Sequence, residues 1–202
     1  EGAVAQITGL PAALQHHRQV ELVGHWLPQH TVFLENRQMN GQAGFYVLTP
    51  LRLPDGSAVV VQRGWQPRDL RDRTLTQPVN TPEQALVSIR GRIAPPPARL
   101  LEFEAMATTP IRQNLDLQSY AREIGLSLRP LSLVQLQEQR LCADAQSSVS
   151  CEQPVSDELK RDWPVVAADL NKHRGYAFQW FSLSALVLIL YVWFQLIQPT
   201  IR

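Results

Sequence analysis

The 202-residue chain lacks most of the patterns that mark enzymes and nucleic-acid-binding proteins. It contains two cysteines and no Cys-x-x-Cys pair, which argues against a thiol redox or copper-relay motif. Its formal net charge is +1, and no basic run interleaved with aromatic residues occurs. The Gly-x-Ser-x-Gly elbow, the P-loop and the Gly-x-Gly-x-x-Gly turn are missing as well. We therefore expect a protein that is not an enzyme and has no nucleic-acid partner.

The longest hydrophobic run lies near the C-terminus, over residues 181–197. It has no charged residue and contains eleven Leu, Ile, Val or Phe residues. Together with residues 176–180 it is long enough for a helix to cross a bilayer core of about 30 Å. At about −0.3 to −0.6 kcal/mol each, these side chains favour insertion by about 3 to 7 kcal/mol before polar costs. A buried core helix is usually shorter and carries charge on its exposed face. We predict a transmembrane helix over 171–198 and a tail over 199–202.

The residues at the start of this helix form a candidate cofactor site. Lys172 and Arg174 flank His173 where the helix would leave the membrane. Spacings of three and four residues place His173, Tyr176 and Trp180 on one helix face. The neighbouring positive charges disfavour protonation of the imidazole, so the ring should stay neutral and able to bind a metal. Alternatively, the two cations are lipid-headgroup anchors and His173 has no role. The spacing alone does not decide between these interpretations.

Residues 1–141 are predicted to form a mainly β domain outside the membrane. Asn40-Gly41 and residues 54–56 carry turn signals, because Gly permits positive φ and Pro presets φ. Regularly spaced strands with turns between them favour an antiparallel sandwich or barrel, with residues 57–65 as the central strand. The expected strands are 20–26, 31–37, 44–53, 57–65, 84–93 and 126–136, with a loop over 68–82 and one short helix over 117–124.

The two cysteines bracket a polar segment rich in Ser and Gln. This pattern fits either a local disulfide in an oxidising compartment or two free thiols. Because the eight intervening residues can close a small loop with little strain, we predict that Cys142 and Cys151 lie close enough for a disulfide. Residues 142–170 are interpreted as a linker that approaches the membrane.

Several short motifs resemble the SURF1 family, and the resemblance extends over nearly the whole chain. The most specific piece is Asn171-Lys172-His173, followed by Tyr176-Ala177 and Gln179-Trp180-Phe181. Residues 59–67, VVVQRGWQP, also match the family. In this segment we interpret Gly64 as a tight backbone approach at a strand end rather than as part of a functional motif. Further matching pieces are residues 18–24, Asn36-Arg37, 44–51, 89–93 and 114–130.

The resemblance implies a membrane protein that assists the assembly of haem–copper cytochrome oxidase. It implies a transmembrane helix on each side of a mainly β domain that lies outside the membrane. The first of these helices has no counterpart in this chain, so we expect that it was removed or lies beyond the sequence. The implied partners are subunit I, the largest subunit of the oxidase, other assembly factors and membrane lipids.

The resemblance also implies a cofactor, haem a, which would be delivered to that largest subunit. The family's histidine at the start of the last helix matches His173, which implies a haem-iron ligand. Lys172 and Arg174 could then pair with the haem propionates. Tyr176 and Trp180 could pack against the macrocycle or serve as belt residues at the membrane interface. A scaffold that stabilises an assembly intermediate without binding haem is the alternative function.

The expected location rests on the resemblance, and the charge distribution disagrees with it. The family places the β domain in the periplasm, at the bacterial inner membrane, or in the intermembrane space, at the mitochondrial inner membrane. The positive-inside rule would place the domain in the cytoplasm, because most flanking cations precede the helix. We follow the resemblance, because an earlier segment often sets the orientation. The cations are Lys160, Arg161, Lys172 and Arg174 before the apolar run 181–197 and Arg202 after it.

Overall fold

A computed structural model describes residues 12–72, 75–97, 110–143, 150–163, 170–193 and 195. The chain divides into two compact units, Glu1–Asp162 and Trp163–Arg202. The described residues of the first unit form nine strands, two short helices and one 3₁₀ turn. In chain order these are α1 (Ala12–Gln15), β1 (Gln19–Trp26), the 3₁₀ turn (Pro28–His30), β2 (Val32–Met39), β3 (Gln42–Arg52), β4 (Ala58–Pro67), β5 (Leu86–Ala94), β6 (Ile111–Arg112), α2 (Leu117–Ile124), β7 (Leu128–Gln135), β8 (Gln139–Ala143) and β9 (Ser150–Val155).

Five strands of the first unit close into a ring. β1 pairs with both β3 and β5, and β4 and β7 complete the path between these two partners. β2 and β6 extend the sheet beyond β3, while β8 and β9 extend it beyond β5. Closure leaves no free edge within the ring itself. The barrel-like sheet confirms the predicted mainly β fold.

Two neighbouring strand pairs in this sheet are parallel. β4 runs parallel to β7, and β2 runs parallel to β6. Parallel neighbours need a long crossover connection, and here the chain passes through β5, β6 and α2 between β4 and β7. Alternating side chains predict strands but do not indicate the direction of the partner. The prediction of an antiparallel arrangement therefore holds for most pairs but not for these two.

β4 is the central strand, as the sequence predicted, and it is buried on both faces. Because successive side chains point to opposite faces of a strand, Val59 and Val61 pack inside the ring while Val60 packs on the outer side. The inner cluster contains Val20, Leu22, Trp26, Leu51, Leu53, Val59, Val61, Val87, Ile89, Ile93, Leu131 and Leu133.

α2 covers the outer face of the sheet, where buried Tyr120 packs in the same cluster as Val60. The helix begins after Asp116, whose carboxylate accepts a hydrogen bond from the Ser119 amide at 2.9 Å. This N-cap satisfies one of the amides left free in the first turn. The helix ends at Gly125, which has a φ of 66°. The predicted helix over 117–124 is confirmed.

The turn predicted at Asn40-Gly41 joins β2 to β3 as a two-residue hairpin. Asn40 has a φ of 51° and Gly41 a φ of 77°, and positive φ at both positions is what a type I′ turn requires. At the second predicted turn, Asp55 accepts a hydrogen bond from the Ser57 amide at 2.9 Å. Gly56 there has a φ of 82°. Both turn predictions are confirmed. Such turns can be predicted from sequence because each depends on the local chemistry of its own residues.

Gly44 on β3 lies close against β4. A Cβ at this position would lie 2.2 Å from the Gln66 carbonyl oxygen and 2.5 Å from the Trp65 indole. Gly44→Ala is therefore expected to lower the free energy of unfolding by about 1 to 3 kcal/mol. Chemical denaturation of the detergent-solubilised protein, followed by tryptophan fluorescence, measures the loss. Gly175→Ala is the control, because nothing lies within 4 Å of the Cβ it would add. Equal stabilities of the two variants would contradict the steric argument.

The linker predicted over residues 142–170 begins too early. β8 already contains Cys142, and β9 pairs with it antiparallel so that Cys142 lies opposite Cys151. The first unit continues to Asp162. The two cysteines form a disulfide with their Cα atoms 4.0 Å apart, which confirms the predicted proximity. The polar composition concealed this segment, because a short strand at the edge of a sheet can be polar and partly exposed.

The second unit contains the helix α3, Leu170–Val192. Its segment Gly175–Val192 has a mean hydropathy of 1.6, and none of that segment is buried. By length and composition α3 can cross a membrane, in agreement with the transmembrane helix predicted over 171–198. The predicted linker residues 164–169 and the tail 199–202 lie outside the described residues.

Candidate functional site

The site predicted from sequence lies on the first turns of α3. Lys172, His173 and Arg174 belong to the helix by their backbone, and their side chains fall outside the described part of the structure. Tyr176 and Trp180 are 60% and 67% exposed, and their spacing of four residues places them on one face. The helical backbone therefore agrees with the predicted spacing. A role of these five residues in cofactor binding stays a prediction.

A second polar cluster, which sequence reasoning missed, lies in the β unit around Arg63. The side chain of Arg63 is fully buried at 0% exposure. Its guanidinium donates hydrogen bonds to the Asp157 carboxylate at 3.1 Å, to the Asn80 carbonyl at 2.9 Å and to the Thr81 hydroxyl. The guanidinium carbon also lies 4.6 Å from the centre of the Trp26 ring, in cation–π geometry. Arg63 therefore connects β4 to three segments distant in sequence.

Asp157 provides the negative charge of this cluster and pairs with two arginines. Its side chain is 0% exposed, and it accepts hydrogen bonds from Arg63 and Arg161. Burial lowers the pKa of Arg63 to about 10, while the charge of Asp157 acts in the opposite direction. Arg63 is therefore still positively charged at neutral pH. A buried charge is stable only when it is paired and hydrogen-bonded, so each of these groups requires the other.

Asp157 belongs to residues 156–162, a segment that we call the strap. Lys160 of the strap exchanges two backbone hydrogen bonds with Trp65, at 2.8 and 2.9 Å. Leu159 packs against β4 at Gly64, where an added Cβ would lie 2.6 Å from the Leu159 Cβ. The tight backbone approach predicted at Gly64 is confirmed, and the strap is the segment that approaches.

The sequence did contain a signal for this cluster. An arginine inside a largely apolar strand is rarely buried without a partner, and Arg63 lies two residues after the run Val59-Val60-Val61. Its partner Asp157 lies 94 residues away, in a segment whose composition resembles a linker. The need for a carboxylate was therefore visible in the sequence, but the identity of that carboxylate was not.

The Asn36-Arg37 motif has a structural position in the same unit. The pairing of β2 with β3 shifts register between Leu34 and Arg37, and Asn36 adopts a φ of 57° there. The Arg37 guanidinium donates to the Gln113 carbonyl at 3.1 Å, and the Arg37 carbonyl accepts from the Trp65 indole at 2.9 Å. The motif therefore fastens a β-bulge both to the chain before α2 and to β4.

Comparison with known proteins identifies the family. The SURF1 family model matches residues 3–185. The chain belongs to the SURF1 family. A SURF1-like protein of Rickettsia bellii is 26% identical over 184 residues, which cover 88% of this chain and 68% of that protein. A SURF1-like protein of Dictyostelium discoideum is 25% identical over 201 residues, covering 86% and 70% respectively.

A shorter similarity connects this SURF1-family chain to a yeast protein. The cytochrome oxidase assembly protein SHY1 of Saccharomyces cerevisiae is 38% identical over 50 residues, which cover 24% of this chain and 13% of that protein. The SURF1 model itself extends from before β1 into α3. Both the strap and the start of α3 therefore lie within the region that the family model matches.

Among the described residues, no group of three or more His, Cys, Asp or Glu side chains is arranged to hold a metal ion. The Arg63 cluster consists of two cations, one carboxylate and neutral donors and acceptors, and its central pair, Arg63 and Asp157, is fully buried. Its chemistry is that of a buried structural ion pair. The cofactor site predicted at the start of α3 is separate from this cluster and stays a prediction.

Proposed function

We propose that the protein is a membrane-anchored assembly factor for cytochrome oxidase. The observation that carries the proposal is the match of the SURF1 family model over residues 3–185, with a relative named as a cytochrome oxidase assembly protein. The exposed apolar surface of α3 supports the anchored part, because such a surface is unfavourable in water and favourable in lipid. The proposed partners are components of the oxidase, specifically subunit I, and other assembly factors.

The β unit is proposed to work in an oxidising compartment, either the periplasm at the inner membrane of a bacterium or the mitochondrial intermembrane space. The disulfide between Cys142 and Cys151 supports this location, because disulfides persist in such compartments and are rare in the cytosol. A reporter fused after residue 202 tests it in a bacterial host. If the β unit lies in the periplasm, the C-terminus should be cytoplasmic. Activity of a periplasmic reporter alone would place the β unit in the cytoplasm instead.

The proposed cargo is haem a, held at the start of α3 on its way to the largest subunit. The donor types fit the group, because His173 offers an imidazole for the iron and Lys172 and Arg174 offer cations for the propionates. The exposed rings of Tyr176 and Trp180 provide aromatic surface against which a flat macrocycle can pack. A boundary between membrane and water suits a ligand that is apolar in its ring and anionic in its propionates.

His173→Ala is expected to remove most of the bound haem while leaving the protein folded. The position is at a helix entrance, so the substitution should cost under about 1 kcal/mol of stability. The measurement is a reduced-minus-oxidised spectrum of the full-length protein purified from cells that make haem a. Lys172→Ala and Arg174→Ala are the matched controls. Their haem loss should be partial and salt-dependent, because an ion pair at a solvated boundary is worth about 0–1 kcal/mol.

The same variants separate haem delivery from a scaffold function. If the His173→Ala protein is made at a normal level and keeps its haem spectrum, His173 is not the ligand. If wild-type protein carries no haem but still supports oxidase assembly, the anchored scaffold is the correct function. Loss of both haem and oxidase assembly in His173→Ala alone would support haem delivery through this residue.

A further inference from the structure

The disulfide lies on the hairpin that leads directly into the strap. Within the described residues, β9 pairs with β8 alone, so β9 forms an edge of the sheet. Cys142 and Cys151 sit opposite each other in this pair, and both are half-buried rather than enclosed in the core. An edge position with partial exposure allows an external thiolate to approach a sulfur atom. The strap begins immediately after Val155, the last residue of β9.

The contacts of the strap favour one closed state, because what it buries is costly to leave unpaired. In the closed state Asp157 neutralises Arg63 at 0% exposure, and Leu159 covers β4 at Gly64. Lys160 adds two backbone hydrogen bonds to Trp65 and a cation–π contact with the Trp65 ring. The side chains of Asn40 and Asn80 donate further hydrogen bonds to the Asp162 carboxylate and the Ser156 carbonyl. If the strap detaches, Arg63 loses its carboxylate and becomes a buried charge that requires water or another anion. Detachment should therefore be a cooperative opening rather than gradual fraying.

The disulfide shortens the covalent connection that keeps Asp157 near Arg63. With the bond intact, Asp157 lies six residues from Cys151, which is fixed to β8. Without the bond, the connection runs fifteen residues from Cys142. Effective concentration falls with about the −3/2 power of connection length, so lengthening alone favours opening by about fourfold. Loss of the cross-link that closes this hairpin adds to the effect, up to about 100-fold in total.

We propose that Cys142–Cys151 is a redox site at which a dithiol opens the strap. One thiolate of the dithiol attacks a sulfur of the pair, and the other cysteine leaves as a thiolate that takes up a proton. The second thiol of the dithiol then attacks the mixed disulfide and releases the remaining cysteine. The protein gains two electrons and two protons, and the dithiol becomes a disulfide. The structural consequence is that Arg63 of β4 becomes exposed when the strap detaches. The strap is the last segment of the β unit, which ends at Asp162.

Hydrogen exchange of the full-length protein in detergent tests this proposal without any substitution. Dithiothreitol at neutral pH, without denaturant, should convert the pair into two thiols, counted by alkylation and mass spectrometry. Amides of residues 156–162 should then exchange about 4- to 100-fold faster, while those of β4 at 58–62 keep their rate. If the disulfide resists the dithiol until the protein is denatured, or if reduction leaves strap exchange unchanged, the proposal is wrong.

Two sets of variants assign the effect to the strap. The double variant Cys142→Ser/Cys151→Ser should match the reduced protein and should no longer respond to the dithiol. Asp157→Asn should speed strap exchange even with the disulfide intact, because the carboxylate that neutralises Arg63 is lost. Glu158→Gln is the matched control, since this neighbouring side chain is exposed and its loss should leave exchange slow. Equal exchange in Asp157→Asn and Glu158→Gln would show that the ion pair does not hold the strap.

Discussion

Arg63→Met should lower the free energy of unfolding of the β unit by about 3 to 5 kcal/mol. The substitution keeps a long apolar side chain beside Trp26 but leaves Asp157 buried, with Arg161 as its remaining ion-pair partner among the described residues. Because a domain has only about 5 to 15 kcal/mol of stability, this is a large part of the total. Denaturant titration with tryptophan fluorescence measures it, and the midpoint should fall while the slope stays similar.

The double variant Arg63→Met/Asp157→Leu distinguishes an unpaired charge from lost packing. Replacing both partners of a buried ion pair is often neutral or stabilising, so the double variant should recover much of the loss. Arg129→Met is the exposed control, because its partner Asp55 is half exposed and such a pair is worth about 0–1 kcal/mol. A double variant as unstable as Arg63→Met would mean that hydrogen bonds to Asn80 and Thr81, rather than charge pairing, dominate.

Removal of residues 177–202 should abolish membrane association and oxidase assembly while the β unit still folds. The described strands all lie within the first unit, which ends at Asp162. The run 181–197, whose apolar side chains favour insertion by about 3 to 7 kcal/mol, would be gone. Flotation of membranes measures association, circular dichroism of the soluble protein measures folding, and oxidase content of complemented cells measures function.

A chimera provides the control for this truncation. Replacing residues 181–197 with an unrelated apolar helix of equal length keeps the start of α3, including Lys172–Trp180, and restores an anchor. Membrane association should return in full. Oxidase assembly should return as well if the function depends on the start of α3. It should stay lost if the function depends on the side chains of the replaced segment. Full complementation by the truncated, soluble protein would refute the proposal that the membrane segment is needed.

Local chemistry explains the features that the sequence predicted well. The hairpin at Asn40-Gly41 follows from positive φ at both positions, and the end of the helix predicted over 117–124 follows from the same property of Gly125. The proximity of Cys142 and Cys151 follows from their short separation in the chain, and the structure joins them in a disulfide. The helix α3, which is long and apolar enough to cross a membrane, follows from an uninterrupted apolar run. In each case the residues that determine the structure are neighbours in the chain, so no knowledge of the fold is required.

Local patterns in the chain therefore predicted six of the nine described strands, two turns and the proximity of the two cysteines. They also predicted an apolar helix long enough to span a membrane and a resemblance to the SURF1 family. Three features appear only in the three-dimensional structure: β4 and β7 are parallel, β9 and the strap belong to the β unit, and Asp157 neutralises Arg63. The physical reason is that these features join residues far apart in the chain. A buried arginine indicates that a carboxylate is needed, but the closure of the ring selects which carboxylate reaches it.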